Sequence, residues 1–326
     1  MTIDAAILKQ LREADGGSVS GVELAQKLGV SRATISGRIN ELRALGYDIE
    51  AGPHSGYRLL GAPDLLHADD LLSRLDKAAV IGRDIRVFQE TTSTSDVIEK
   101  LARDAVDEGV VVFAESQTKG RGRLGRKWIS PSRKGLWFSV LLRPRMRLQD
   151  CTQLTIASGA ALRRAIQHTT GLEARIKWPN DILIRSRKVA GILTEMRAEL
   201  DVVSYVMLGI GVDVNLTASD FPTDLRKTAT SLKIELGSTV ARADLAAAIL
   251  KELEKDYARI RKGDFEMVAD EWEAHCDTLG HEVVIRMGAR EVRGRAESLG
   301  EDGALLVRTQ HGHLETVIGG DVTLVR

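Results

Sequence analysis

The hydrophobic period changes along this chain of 326 residues, and those changes limit what it can fold into. Residues 2–14 carry Ile3, Ala6, Ile7 and Leu11 at helical spacing, and Gly16 and Gly17 end the run. Val22, Leu24, Ala25 and Leu28 predict a second short helix that Gly29 stops. Ser31 is placed to cap a third, on which Ile35, Ile39 and Leu42 share one face. Tyr47–Ile49 and Tyr57–Leu60 then read as two short strands around a turn-rich tip, which makes the first segment a winged helix-turn-helix. Gly61 and Pro63 mark a boundary and precede a new helix. From about 66 to 275 strands and helices mix, and from about 280 only short strands follow, as in a small β-barrel. One core cannot serve all these patterns. The fold class expected is α+β multidomain, divided at 1–65, 66–276 and 277–326.

The first unit suits either nucleic-acid or protein contacts. Ser31, Arg32, Thr34, Ser36 and Arg38 lie near the exposed start of the third helix, where side chains reach bases or phosphates in a major groove. His54 and Arg58 are placed to touch the DNA backbone from the wing. Acidic residues balance basic ones over this segment, so a plain helical packing module with a charged face stays open as the alternative.

The whole chain is balanced too, with 46 Lys and Arg against 46 Asp and Glu, so attraction for anions must be local. Residues 119–149 supply such a place: many Lys and Arg, no Asp or Glu. Two distant cysteines, Cys151 and Cys276, argue against a disulfide framework or a cysteine-rich zinc site, and no protein-held metal is expected. The N-terminus lacks the apolar stretch of a signal peptide, and no window nears the roughly 18 apolar residues of a spanning helix. A cytoplasmic protein without membrane association is expected.

Within the basic stretch, "ESQTKGRGRLGRKW" (115–128) contains G-x-G-x-x-G at Gly120, Gly122 and Gly125. A dinucleotide fingerprint needs a helix to begin inside those glycines, and "RKWISPSRKG" has no helical period. What remains is a bendable loop carrying Arg121, Arg123 and Arg126, planar donors that suit carboxylate and phosphate. Its own charges should repel and keep it mobile until anions order it.

Four more segments carry unusual residues. "ETTSTSD" (90–96) is a hydroxyl-rich turn. "KWPNDILI" (177–184) sets Asn180 and Asp181 before an apolar strand. "RKVAGIL" (187–193) offers Lys188, and Gly191 leaves bare backbone for a flat ligand. "LGIGVDVNL" (208–216) interrupts a buried strand with Gly209 and Gly211. Each alone has a bland reading as a turn, hairpin, bulge or cap. Together and in this order they resemble the biotin protein ligase family, most closely its bifunctional type, which joins an operator-binding winged helix to the ligase.

The resemblance implies a central α/β domain like that of class II aminoacyl-tRNA synthetases, with a mixed sheet, and an SH3-like C-terminal β-barrel. It implies two steps: biotin and Mg-ATP give biotinyl-5′-AMP and pyrophosphate, then a lysine of a biotin carboxyl carrier domain takes the biotinyl group and releases AMP. Operator DNA and a homodimer promoted by the adenylate are the other implied partners. Arg121 and Arg123 would clamp carboxylate and α-phosphate, with Lys188 opposite them; Asp181 completes the expected catalytic set. Ser93, Thr94 and Gln117 would hold the ureido ring, and Gly120, Gly191 and Gly209 would line its slot. Arg126, Lys127, Asn180, Asp181, Gly211, Asp213 and Asn215 would serve the nucleotide side, and Trp128 would close the loop by packing. Ser95 and Asp213 stand where the family usually has Asn, and "FPTDLRKTATSL" resembles its adenylate-covering loop without a Trp. The alternatives are a ligand-sensing repressor without ligase turnover and a ligase for a related acyl acid such as lipoate.

Overall fold

The structure is a computed structural model that describes residues 1–52, 56–76, 80–199 and 202–325. The N-terminal unit holds α1 (Ile3–Glu13), α2 (Gly21–Leu28), α3 (Arg32–Ala44), β1 (Asp48–Gly52) and β2 (Gly56–Gly61). Its helix starts follow from short polar side chains. Ser20 accepts from Val22 N, and Ser31 from Thr34 N at 3.0 Å. Gly29 ends α2 at φ 66°, a conformation cheap only for glycine. Ile35, Ile39 and Leu42 are fully buried with Ile7, Leu8, Leu11 and Leu24 in a core of their own. The antiparallel β1–β2 pair is the wing; His54, expected at its tip, lies outside the described residues.

This unit meets the rest of the chain through α1 and α4 (Ala68–Arg74). The contact is polar: buried Asp70 pairs with Arg12 of α1 and Arg74 of its own helix, and Thr2 donates to Asp69.

The central domain adds β3 (Asp84–Thr91), α5 (Thr94–Arg103), β4 (Val110–Gln117), β5 (Leu136–Leu142), α6 (Thr152–Thr170), β6 (Arg175–Lys177), β7 (Asp181–Ile184), β8 (Arg187–Glu199), β9 (Val202–Val212), α7 (Leu232–Leu236), α8 (Arg242–Lys262) and α9 (Phe265–Ala274). Its sheet runs β3-β4-β5-β9-β8-β7-β6, with β3 and β4 parallel and the other neighbours antiparallel. β5 is buried at every position, as expected of a central strand. The small residues Ala157, Gly159, Ala160 and Ala161 let α6 pack closely against its neighbours; a methyl on Gly159 would stand 3.2 Å from Trp272.

α5 ends at Arg103, because the chain turns through Ala105 at φ 55°. The short α7, capped by Ser231 and ended by Gly237, carries too few turns to show a period. The β7–β8 hairpin turns through Arg185 and Ser186 at φ 48° and 62°.

The C-terminal strands β10 (Glu282–Met287), β11 (Arg290–Leu299), β12 (Leu305–Thr309), β13 (Leu314–Val317) and β14 (Asp321–Leu324) form one antiparallel sheet, ordered β13-β12-β11-β10-β14. Ile285, Ala296, Leu305 and Val307 are fully buried, and their cluster is continuous with the central core. The β-unit is therefore seated on the central domain, while the winged helix keeps a separate core. Among the described residues no helix is long and apolar enough to cross a membrane.

Candidate active site

A cleft of about 710 Å³ opens on the central sheet, bounded by the end of β4, the glycine loop, β5, the β7–β8 and β8–β9 pairs, the 221–229 segment and the β10–β14 edge of the C-terminal sheet. At one end lies a slot of hydroxyls and one amide. Ser93, Thr94 and Ser95, at the start of α5, are each nearly fully buried. Gln117 Oε1 accepts from Thr94 N at 2.9 Å and from the Thr94 hydroxyl at 3.2 Å, and Gln117 Nε2 donates to Ser130 Oγ at 2.9 Å. Ser139, on β5, stands 2.7 Å from Thr94 Oγ1 and 3.1 Å from Ser95 Oγ. A methyl on Gly209 would meet Leu193 O and Ser95 Oγ, each at 3.3 Å, so glycine keeps the slot open there.

Gly191 and Gly211 are direct register partners on β8 and β9. The bare backbone expected to take a flat ligand is covered by the chain's own Trp128: a methyl on Gly211 would stand 2.5 Å from the indole and one on Gly191 2.9 Å. Lys188 Nζ sits 5.2 Å from the Trp128 ring centre, and Trp137 meets the indole edge-on. Trp128 Nε1 is buried without a hydrogen-bond partner. Gly120, in contrast, is absent from the cleft wall. A side chain there would strike Trp128 O at 2.5 Å and Ser130 Oγ at 2.9 Å, so it is glycine to let the loop close on itself.

Two of the loop's arginines, Arg121 and Arg126, are paired with carboxylates from outside it. Arg121 is held by Asp96 at the start of α5 and reaches Glu195 at 3.4 Å. Arg123 donates to Asn180 Oδ1 at 3.0 Å and approaches Gly320 O at 3.5 Å. Arg126 pairs with Asp321 of the C-terminal sheet. Lys127 is exposed, and its backbone forms an antiparallel β-bridge with that of Arg121. Burial depresses the Arg123 pKa against the pull of Asp181 and Asp321; at Arg121 burial is outweighed by Asp96 and Glu195, and the value rises.

Across the cleft, Lys188 Nζ lies 2.6 Å from Asp181 Oδ1. The 221–232 segment fixes Lys188 by its backbone: Lys188 N donates to Thr228 O and Thr230 N to Lys188 O, both at 2.8 Å. Asp213 faces the same space and is nearly fully buried; desolvation drives its pKa well above the ordinary carboxylate range, opposed by Lys188. Asn180 lines the cleft, yet its amide is already engaged, with Nδ2 on Ile192 O at 2.9 Å and Oδ1 on Arg123. Asn215, expected at the nucleotide, is turned into the protein: its amide donates to Val240 O at 3.0 Å and accepts from Val240 N at 2.9 Å.

The sequence reading missed Ser139, although a serine inside "GLWFSVLL" was a legible signal. It also missed Asp96 and Glu195 as partners of Arg121, and the β10–β14 edge as a wall. At the winged helix, Ser31, Arg32 and Ser36 are exposed, and Thr34 is half-buried against Ser31. Arg38 is committed to Asp4 through two bonds of 2.6 and 2.5 Å and to Glu41 at 2.7 Å, so its guanidinium is a brace between α1 and α3. Arg58 faces Glu50 at 3.4 Å.

Comparisons with known proteins agree with this layout. Residues 87–215 match the biotin/lipoate A/B protein ligase family, residues 5–58 a helix-turn-helix domain, and residues 278–325 the biotin protein ligase C-terminal domain. The chain is 35% identical to the bifunctional ligase/repressor BirA of Bacillus spizizenii, over 99% of each chain. It is 28% identical to the protein of that name from Escherichia coli, over 95% of this chain and 94% of the relative. A biotin protein ligase from Aquifex aeolicus, solved in complex with biotin and ATP, superposes with a TM-score of 0.64 at 30% identity, covering 75% of this chain and 99% of that one.

Proposed function

The chain belongs to the bifunctional biotin ligase/repressor family, and on that premise we propose how its cleft joins biotin to a carrier protein at the expense of ATP. In the first step a carboxylate oxygen of biotin attacks the α-phosphorus of ATP, the bond to the β-phosphate oxygen breaks, and pyrophosphate leaves. In the second, a carrier lysine amine attacks the acyl carbon of biotinyl-5′-AMP, loses a proton and releases AMP. The observation that carries this reading is one continuous cleft with a hydroxyl and amide slot at one end and cations from two directions at the other.

Carboxylate and triphosphate repel, so their approach needs fixed positive charge in a site shielded from water. Arg123 and Lys188 supply it from opposite walls, and Arg121 joins them once it exchanges Asp96 for the substrate carboxylate. Ser93, Thr94 and Gln117 orient the ureido ring. Asn180 acts by aiming Arg123, and Arg126 and Lys127 stand at the mouth for the outer phosphates. Among the described residues no cluster of His, Cys, Asp and Glu forms a metal cage. That suits Mg²⁺, which binds through one or two carboxylates plus substrate phosphates. Asp181 fits: it lines the cleft, and its Oδ1, although near Lys188, makes no well-directed hydrogen bond. Held by Asp181 and the substrate phosphates, Mg²⁺ would help neutralise triphosphate charge.

The helix-turn-helix unit gives the protein its repressor half, with Arg32 and Ser36 on the exposed face of α3 toward operator DNA. A homodimer promoted by the adenylate is part of the proposal; exposed Met196 and Val202, on the two strands of the β8–β9 hairpin, support it. Biotin-dependent exchange of labelled pyrophosphate into ATP tests the first step. Exchange driven by lipoate and not by biotin overturns the substrate assignment. Gel shifts on promoter DNA with and without biotin and ATP test the second half, and binding indifferent to both contradicts it.

A further inference from the structure

Ser139 is fully buried on β5, opposite Gly209 in register, and reaches both hydroxyls at the start of α5. The hydrogen positions there can be worked out from donors that have no choice. Thr94 N–H can only donate, so Gln117 presents its oxygen to it. The Thr94 hydroxyl lies 3.2 Å from the same oxygen and donates to it as well. Its hydrogen being used, Thr94 Oγ1 accepts from Ser139 at 2.7 Å; Ser139 Oγ then accepts from Ser95 at 3.1 Å. The chain runs Ser95 to Ser139 to Thr94 to Gln117, and each of its three hydroxyl hydrogens is spent inside the protein, while Gln117 Nε2 gives one of its two hydrogens to Ser130. What the hydroxyls turn toward the slot is lone pairs. Reversing it would take the Thr94 hydrogen away from Gln117 Oε1 and turn the Ser95 hydrogen into the cleft. Ser93 makes no side-chain hydrogen bond among the described residues and lines the cleft, so its hydroxyl hydrogen is left for a ligand.

A slot with acceptors on its floor and one free hydroxyl donor at its rim complements a cyclic urea, which carries two N–H donors and one carbonyl. We propose that Ser139 is a positioning and specificity-determining residue of this slot: it fixes the direction of the Thr94 and Ser95 hydroxyls, so that the floor accepts N–H donors and disfavours rings without them. The inference rests on the assignment of biotin to this slot and adds the residue that sets its polarity. A sulfur ring without N–H groups would bury those lone pairs unpaired, a costly outcome.

Ser139→Ala removes the pivot with the loss of one oxygen. In biotin-dependent pyrophosphate exchange its KM for biotin rises about 10-fold, while kcat, KM for ATP and the thermal midpoint stay near wild type. Its preference for biotin over a biotin methylated on a ureido nitrogen falls. Ser95→Ala, which keeps the bond from Ser139 to Thr94, raises KM for biotin less than Ser139→Ala does. If Ser139→Ala does not fold, Ser139→Cys, with a weaker donor, is expected to show a raised KM for biotin alone. An unchanged biotin KM in whichever Ser139 variant folds overturns the proposal. So does an equal rise in KM for ATP with a lowered thermal midpoint, which marks a structural role. A wild-type protein without biotin-dependent exchange overturns the biotin assignment and this inference together; an active wild type with an indifferent Ser139 variant overturns this inference alone.

Discussion

Gly211→Ala adds one methyl beneath the Trp128 indole, and its consequence follows from distances. The new carbon would stand 2.5 Å from Cε2 and Nε1 and 2.9 Å from Cζ2. The ring must lift by about 1 Å to regain an ordinary separation of ~3.5 Å. The indole is a rigid bicycle wedged against Trp137, so it cannot bend away at one end. Overpacking of this kind costs about 1–3 kcal/mol, a fraction of the roughly 5–15 kcal/mol that holds a domain folded. The catalytic domain therefore stays folded, and its thermal midpoint falls by only a few degrees. Activity falls further. Trp128 ends the arginine loop and flanks Lys188, and a displacement near 1 Å can cost on the order of 100-fold in rate. Pyrophosphate exchange on Gly211→Ala should show that loss. The same substitution in a Trp128→Ala background should cost almost nothing more, because the clashing group is gone. Full activity in Gly211→Ala, or an equal loss in both backgrounds, refutes the account of the floor.

Arg121→Ala should leave the thermal midpoint almost unchanged, since its partners Asp96 and Glu195 are partly exposed and such pairs contribute about 0–1 kcal/mol; adenylate retention on a filter or by calorimetry should drop. Asp213 has a raised pKa in the folded chain, so its contribution to stability is fully present below the free aspartate value of about 4 and is lost as pH rises through the folded value. Asp213→Asn should therefore raise the thermal midpoint at pH 7 and leave it unchanged near pH 4, read by a pH series of melts. Glu115→Ala removes the buried carboxylate 2.6 Å from the fully buried Arg242, leaving that guanidinium the exposed Asp64 carboxylate and two backbone carbonyls, and should cost about 3 kcal/mol in denaturant titration. Asn215→Ala should lower stability while leaving KM for ATP near wild type, because its amide serves Val240.

Local chemistry was what the sequence displayed. The Ser31 cap, the buried face of Ile35, Ile39 and Leu42 and the stop at Gly29 each depend on a few adjacent residues. The segments that carry the family resemblance also come together around one cleft. What a linear reading missed depends on register and on distant partners. Nothing near Gly191 reveals that it faces Gly211 with an indole above both. Arg126 meets Asp321 only because the C-terminal sheet is seated on the central domain. Asn215 looked available as a polar residue beside a glycine-rich strand, but the strand end turns it toward Val240. The loop was expected to repel itself because its anionic partners, Asp96, Glu195 and Asp321, all lie outside the basic stretch. Polar groups in a folded chain find partners where they can, and sequence distance does not limit which.

The central claim is that this cleft activates biotin and passes it to a carrier lysine. Intact-mass measurement of a biotin carboxyl carrier domain, incubated with the full chain, biotin and ATP, tests it most directly. The account predicts a mass increase of one biotinyl group on one lysine, dependent on ATP, with AMP and pyrophosphate released, and its loss with Lys188→Ala. An unmodified carrier in the presence of both substrates, or labelling that persists at full rate in Lys188→Ala, would contradict it.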